Sequence, residues 1–200
     1  VLQLIFGRSE KFRQFSFKCL SCGADKNLYY NDTKLTKSTS TFIHTDYEKI
    51  KDSLNIILNA VFTDDAFKFS VDRLMENFIG QQSSHNKRFT NSISAYEAYY
   101  KNYSKVGKTQ LDKRIKENDE IFKRIGDLKD DVWMSFPKKV VRARDYHIHS
   151  NPDNKDVYSE FELLYISFLF DYVIAYLLLS ELEGVQQYLL DEYIEQGKRT

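Results

Sequence analysis

One apolar run, Phe161 to Leu179, limits the folds open to this chain more than any other feature. Its length is close to the roughly 20 residues that cross a bilayer. However, Asp171 lies near its middle, and an ionised carboxylate at the centre of a bilayer costs at least about 2.5 kcal/mol. Ser159 and Glu162 have the spacing of a capping box, which predicts that a helix starts near Ser159. The run therefore predicts the central helix of a helical bundle, surrounded by other helices, and no membrane span.

Residues that interrupt helices are scarce, with two Pro and seven Gly among 200 residues, so long helices are expected elsewhere too. The 29 basic and 29 acidic residues balance, and the whole molecule has no field that would attract nucleic acid. Any binding of nucleic acid must then come from a local cluster of charge. The chain begins with Val1, and we expect it to be the C-terminal fragment of a longer, cytoplasmic protein without a secretory signal.

The first 42 residues differ in composition from the rest of the chain. Val1 to Phe6, Lys11 to Lys18 and Lys26 to Asn31 have the composition of short strands, and the polar stretch at 33–41 is typical of a linker. We predict that residues 1–42 are the end of an upstream β-containing domain together with its linker.

The two cysteines, Cys19 and Cys22, have the spacing of half a zinc site. Four ligands are needed, and no second CxxC or HxxxH pair accompanies them. Structural thiols are therefore favoured over a metal site, and no metal or other cofactor is expected.

From residue 43 onward the apolar residues recur at three and four positions, which indicates helices. Residues 43–84 predict two connecting helices, the second capped by Asp64 or Asp65 and ended by Gly80. Residues 85–197 predict a bundle of four to five core helices, so the predicted fold is mainly α. The helices predicted in the bundle are Arg88–Tyr103, Leu111–Leu128, Asp131 or Ser135 to His149, Ser159–Gly184 and Val185–Ile194.

The string RDYHIH at residues 144–149 is the part of the chain that offers chemistry. Asp145 and His149 share a helical face, so the carboxylate can accept a hydrogen bond from the imidazole and fix its tautomer. Arg144 is rotated by about 140° from His149, so the two converge only if the helix bends or frays, or if a partner subunit supplies the second copy. A histidine can move the proton of an RNA 2'-hydroxyl while a guanidinium stabilises phosphate charge, and this chemistry needs no metal.

The same spacing occurs a second time, because Arg142 and His147 are also five positions apart. The pair at 144 and 149 is preferred because an acidic residue follows its arginine, and because Pro152 ends the helix directly after its histidine. The pair at 142 and 147 stays open as the alternative, or as two further contacts to phosphate.

Lys138 and Lys139, followed by Arg142, form a basic stripe that leads into the motif, and we predict that this stripe binds RNA. A solvated helix face is an equally good interpretation of the stripe. The motif itself also has a plain alternative, since basic side chains at a helix end interact favourably with the helix dipole.

The string RDYHIHSNP, between an amphipathic helix and a long apolar one, resembles the arginine-x4-histidine motif of the HEPN superfamily. The resemblance extends to the Apea-like HEPN group and covers roughly residues 85–195. In that group an earlier helix carries a glutamate, which matches Glu97 here, and the bundle ends in a leucine-rich helix, which matches Tyr176–Leu182.

The resemblance implies a helical bundle that forms a homodimer with its two motifs facing each other and cleaves RNA through the 2'-hydroxyl without a metal. Arg144 and His149 would be catalytic, Asp145 would be the polar residue beside them, and Glu97 would be accessory. Many members act in anti-phage defence or as toxins, and tRNA is among their targets. The alternatives are an inactive HEPN module that dimerises or binds RNA, and a structural bundle in a larger protein.

Overall fold

The structure, a computed structural model, describes residues 14–18, 25–29, 47–79, 84–103, 110–149 and 157–198. Two short strands, β1 (Gln14–Lys18) and β2 (Asp25–Tyr29), pair antiparallel and overlap two of the three segments predicted as strands. The predicted strand at 1–6, the linker at 33–41 and both cysteines lie outside the described residues.

The helices found in the described part confirm the mainly helical fold. Their bounds agree with the predicted ones to within a few residues, except that one predicted helix is divided in two. They are α1 (Tyr47–Thr63), α2 (Asp65–Ile79), α3 (His85–Tyr103), α4 (Leu111–Glu117), α5 (Asp119–Gly126), α6 (Asp130–His149), α7 (Glu160–Ser180) and α8 (Gln187–Gly197).

The division occurs at Asn118, inside the helix predicted over 111–128. Asn118 Nδ2 donates hydrogen bonds to the hydroxyl oxygens of two α3 tyrosines, Tyr96 (3.1 Å) and Tyr100. Asparagine favours breaks in helices because its side chain can hydrogen-bond nearby groups in non-helical backbone conformations. The break separates α4 from α5 and lets α4 pack as a short wall beside α6.

The helix α7 lies at the centre of the bundle, packed against α3, α5 and α8. It begins with the predicted capping box, in which Ser159 N donates to Glu162 Oε2 (2.7 Å) and Glu162 N donates to Ser159 Oγ (3.4 Å). By length and composition α7 is able to cross a membrane, and 72% of its most apolar window is buried inside the bundle. The helices that cover it account for its apolar composition.

The carboxylate of Asp171, in the middle of α7, is fully buried and paired. Its Oδ2 accepts a hydrogen bond from Arg88 Nη2 (2.7 Å), and its Oδ1 accepts from Ser92 Oγ (2.7 Å) and Asn77 Nδ2 (3.2 Å). Burial raises the pKa of Asp171 to about 6, although the arginine and both hydrogen-bond donors act to lower it. This polar cluster ties α2 and α3 to α7.

The helices α1 and α2 pack onto the bundle and share its core. Asp64 caps α2, because its Oδ1 accepts from the backbone N–H groups of Ala66 (2.8 Å) and Phe67 (3.0 Å). Phe67 is fully buried and belongs to the same core cluster as Phe170 of α7. Gly80, the predicted stop, lies outside the described residues. The division of the chain at residue 84 stays a prediction.

Candidate active site

The helix α6 carries the motif and is continuous from Asp130 to His149. Pro152 and its neighbours lie outside the described residues, so the predicted end of the helix stays a prediction. One side of α6 packs into the bundle. The residues of this inward stripe are Trp133, Phe136, Val140 and Ala143, all buried.

A second stripe on α6 carries most of the predicted site positions. Lys138, Arg142, Asp145 and His149 follow one another at spacings of four, three and four residues. At about 100° per residue these four positions fall within about 60° of one another around the helix. The basic stripe and the motif histidine therefore share one face.

A pocket of about 540 Å³ lies beside this face, between α3, α4 and α6. Most of the predicted site residues with described side chains meet in it. Four cationic and three acidic side chains line it, so its formal charge is positive. The lining residues are Glu97 from α3, Gln110, Leu111, Asp112 and Arg114 at α4, and Lys138, Val141, Arg142, Arg144 and Asp145 from α6.

Arg144 is held between two carboxylates at the wall of this pocket. Its Nη1 donates to Glu97 Oε1 (2.8 Å), while its Nε and Nη2 donate to Asp145 Oδ1 (3.0 and 2.8 Å). Burial acts to lower the pKa of Arg144, but the hydrogen bonds to Asp145 and the charge of Glu97 outweigh it and raise the pKa. Three of the five guanidinium N–H groups are thus bound within the described residues. One N–H remains on each terminal nitrogen without a bond to a described residue.

The predicted hydrogen bond between Asp145 and His149 stays a prediction, because the side chain of His149 lies outside the described residues. Asp145 uses Oδ1 for Arg144, and its Oδ2 has no hydrogen bond to any described residue. Position 149 is one turn further along the same face of α6. Asp145 therefore keeps one oxygen without a hydrogen bond to the described residues.

Lys139 and His147, both predicted to contact RNA, lie outside the pocket. Lys139 Nζ is 4.0 Å from Glu162 Oε1 and 4.4 Å from the ring centroid of Tyr158. The imidazole of His147 packs edge-on against Phe89 with ring centroids 6.2 Å apart, and its Nε2 is buried without a hydrogen bond to a described residue. Burial lowers the pKa of His147. The inward direction of this histidine favours the motif pair at 144 and 149 over the pair at 142 and 147.

Sequence reasoning missed the pocket wall built at α4. Gln110, Asp112 and Arg114 lie about thirty residues before the motif and follow no spacing that marks a site. The wall is fastened to α3 because the carbonyl oxygen of Arg114 accepts hydrogen bonds from the hydroxyls of Tyr96 and Tyr100, both at 2.9 Å. Tyrosines at helical spacing in α3 indicated packing but did not indicate which helix they pack against.

In the part of the chain that the structure describes, no group of three or more His, Cys, Asp or Glu side chains is arranged to hold a metal ion. Cys19 and Cys22 lie outside that part. The predicted independence from metals stays a prediction.

Comparison with known protein families supports the resemblance that was drawn from the motif. The model of the family described as Apea-like HEPN matches residues 36–188, which include Arg144, Asp145 and His149. The match starts ahead of α1, so it includes the two helices that precede the predicted bundle. No curated protein and no solved structure matches the chain. Because the family match spans well over half of the 200 residues, the chain belongs to the Apea-like HEPN family.

Proposed function

We propose that the chain is an endoribonuclease of the HEPN type that cleaves RNA without a metal ion. Family membership indicates a nuclease or RNA-binding role. One observation carries the finer proposal: Glu97 and Asp145 hold Arg144 at a positively charged pocket, with two N–H groups left for a phosphate. An arginine that only met solvent at a helix end would need no such support.

In the proposed reaction the 2'-oxygen of one nucleotide attacks the adjacent phosphorus, and the bond from phosphorus to the 5'-oxygen breaks. His149 takes the proton of the 2'-hydroxyl, and the leaving 5'-oxygen takes a proton from water. Arg144 donates to the non-bridging oxygens, where negative charge grows. The products are a 2',3'-cyclic phosphate and a 5'-hydroxyl. DNA is not cut, because it lacks the attacking hydroxyl.

A site shared between subunits fits the geometry of α6. Position 149 is about 140° around the helix from Arg144, so a straight helix does not bring both side chains to one phosphate. The backbone remains helical through His149. HEPN domains generally bind RNA and often dimerise. These points support a site whose arginine and histidine come from different subunits.

The first test is cleavage of tRNA and of a single-stranded RNA in the presence of EDTA. Arg144→Ala is expected to lower the cleavage rate by a factor of about 10² to 10³, the usual contribution of a donor that stabilises transition-state charge. His149→Ala is expected to lower it by about 10² to 10⁴, the usual contribution of a catalytic acid or base. Arg73→Ala is the matched control, because Arg73 is an exposed arginine on α2 that pairs with Glu76. A single 2'-deoxy nucleotide at the cut position should block cleavage, and the product should carry a cyclic phosphate.

Cleavage that survives both motif substitutions would refute the assignment. RNA binding and dimer formation without products would instead support the inactive HEPN module.

A mixing experiment tests the shared site. Arg144→Ala and His149→Ala proteins are combined after exchange of subunits, and activity is measured against each alone. After random exchange, half of the dimers contain one subunit of each variant. If each site takes its arginine from one subunit and its histidine from the other, one of the two sites in a mixed dimer is intact. About a quarter of the wild-type activity should then return. No recovery, although exchange is demonstrated, would show that each subunit supplies both residues.

The biological setting that we propose is anti-phage defence or a toxin system. Expression of the wild-type protein in a host cell is expected to slow growth or reduce phage plating, while Arg144→Ala at equal abundance is not. Equal effects of the two proteins would contradict a role for the nuclease activity in that setting.

A further inference from the structure

The pocket beside Arg144 has a wall for which the cleavage reaction has no use. Asp112 on this wall is partly buried, and its carboxylate makes no hydrogen bond or ion pair with any described residue. Leu111 is 5% exposed and Val141 is partly buried, so together they form an apolar strip in a polar pocket. Such a strip with a few polar groups beside it is typical of a small-ligand site.

We propose that this pocket holds one nucleotide of a single-stranded RNA beside the scissile phosphate, and that Asp112 accepts a hydrogen bond from the amino group of its base. The inference rests on the proposed function, since the phosphate next to this nucleotide is the one bound by Arg144. The volume of about 540 Å³ is within the range of roughly 300 to 1,000 Å³ found for ligand pockets. A base enters such a pocket only when it is unstacked, which favours single strands and loops over duplexes.

Different residues of the pocket suit different parts of a nucleotide. Lys138 and Arg142, one turn apart on α6, lie where they can follow the negatively charged backbone. The apolar strip of Leu111 and Val141 offers a surface to the face of the base. The exposed amide of Gln110 adds both a donor and an acceptor at the pocket edge.

Asp112 supplies the discrimination between bases. An ionised carboxylate only accepts hydrogen bonds, and cytosine, adenine and guanine present an amino group while uracil does not. A nucleotide with an amino-bearing base is therefore expected to bind more tightly than uridine, by about tenfold for one well-formed contact to a base edge.

A binding experiment tests the pocket without cleavage. Cytidine 3'-monophosphate and uridine 3'-monophosphate are titrated into the full 200-residue chain carrying His149→Ala, with the dissociation constants measured by calorimetry. The cytidine nucleotide is expected to bind about tenfold more tightly, and Asp112→Ala added to this protein is expected to remove the difference. Asp72→Ala, an exposed aspartate on α2, is the matched control and should retain it. Asp112→Asn, which adds N–H donors that can serve uracil, should narrow the difference without removing a hydrogen-bonding group.

A cleavage experiment makes the two proposals separable. The substrates are oligonucleotides that differ only in the base beside the cut, and kcat/KM is measured for the wild type and Asp112→Ala. Cleavage whose base preference is unchanged by Asp112→Ala would overturn the pocket assignment and leave the nuclease intact. Nucleotide binding that depends on Asp112, together with no RNA cleavage by the wild-type chain, would uphold the pocket and refute the nuclease. Equal binding of both nucleotides to the His149→Ala protein would overturn the pocket assignment, provided that circular dichroism shows the protein to be folded.

Discussion

Removal of the buried carboxylate at Asp171 should be one of the most destabilising single changes in the bundle. Asp171→Ala takes the carboxylate away from the guanidinium of Arg88, which is 13% exposed. It also removes one acceptor from the Ser92 hydroxyl and one from the Asn77 amide, which keep their other hydrogen bonds. Breaking a buried ion pair by removing one partner typically costs about 3–5 kcal/mol. Arg88 keeps a contact with the ring of Phe168 at 4.3 Å, so the lower half of that range is expected.

The assay is urea unfolding followed by far-UV circular dichroism at about pH 8, where Asp171 is ionised because its pKa is about 6. Protein concentration is held constant, because dimer formation would add to the apparent stability. The midpoint should fall while the slope with urea stays unchanged. A loss of about 3–4 kcal/mol corresponds to a fall in Tm of roughly 6–16 °C for a chain of this size.

The double substitution Arg88→Met with Asp171→Leu is the informative control. It removes both charges at once, and such replacements are often neutral or stabilising by about 1–4 kcal/mol. The double variant should therefore be more stable than Asp171→Ala. A loss of less than about 1 kcal/mol in Asp171→Ala, or a double variant less stable than the single one, would refute the view that the ion pair carries a large desolvation cost.

Three further outcomes are expected. Because burial raises the pKa of Asp171 from 3.8 to about 6, protonation of Asp171 stabilises the fold below about pH 4, and this stabilisation is lost as the pH rises through 6. A shift of about two pKa units corresponds to about 3 kcal/mol. It is measured as the change, across this pH range, in the difference in unfolding free energy between wild type and Asp171→Asn. Ser159→Ala removes the hydroxyl of the α7 capping box and should lower stability by about 1 kcal/mol in urea unfolding, whereas no loss would mean that Glu162 alone caps the helix. Gly184→Ala should cost about 1–2 kcal/mol, read as a lower Tm, because φ is 91° at this position and an added Cβ would lie 3.0 Å from Ile56 Cδ1.

Parts of the fold that depend on near neighbours in the chain could be predicted from the sequence. The capping box of α7 is recognised from a hydroxyl and a carboxylate three residues apart, and the helix that follows it is recognised from the length of its apolar run. The break at Asn118 escaped prediction because its partners Tyr96 and Tyr100 are 22 and 18 residues away. They become neighbours only when α4 packs on α3. The pairing of Asp171 with Arg88 was hidden for the same reason, since 83 residues separate the two.

The candidate site divides in the same way. Arg144 and Asp145 are adjacent in the chain, so their association could be proposed from the motif alone. Glu97 is 47 residues from Arg144, and only the family resemblance pointed to it before the 2.8 Å contact was seen. Asp112 belongs to no motif, and its place in the pocket follows from the packing of α3, α4 and α6. Helical periodicity predicts which residues share a face, but it does not predict which helix lies opposite.

The two stripes of α6 place separate demands on residues that are close in the chain. Val140 and Ala143 are fully buried and hold the bundle together, whereas Lys138 and Arg142 line the pocket. Changes on the first stripe alter how many molecules fold, and changes on the second alter what each folded molecule does. In a library scored separately for abundance and for activity, the two scores along α6 would rise and fall out of phase with a period of about 3.6 residues. The limits of the site could then be mapped from phenotypes, without a bound substrate.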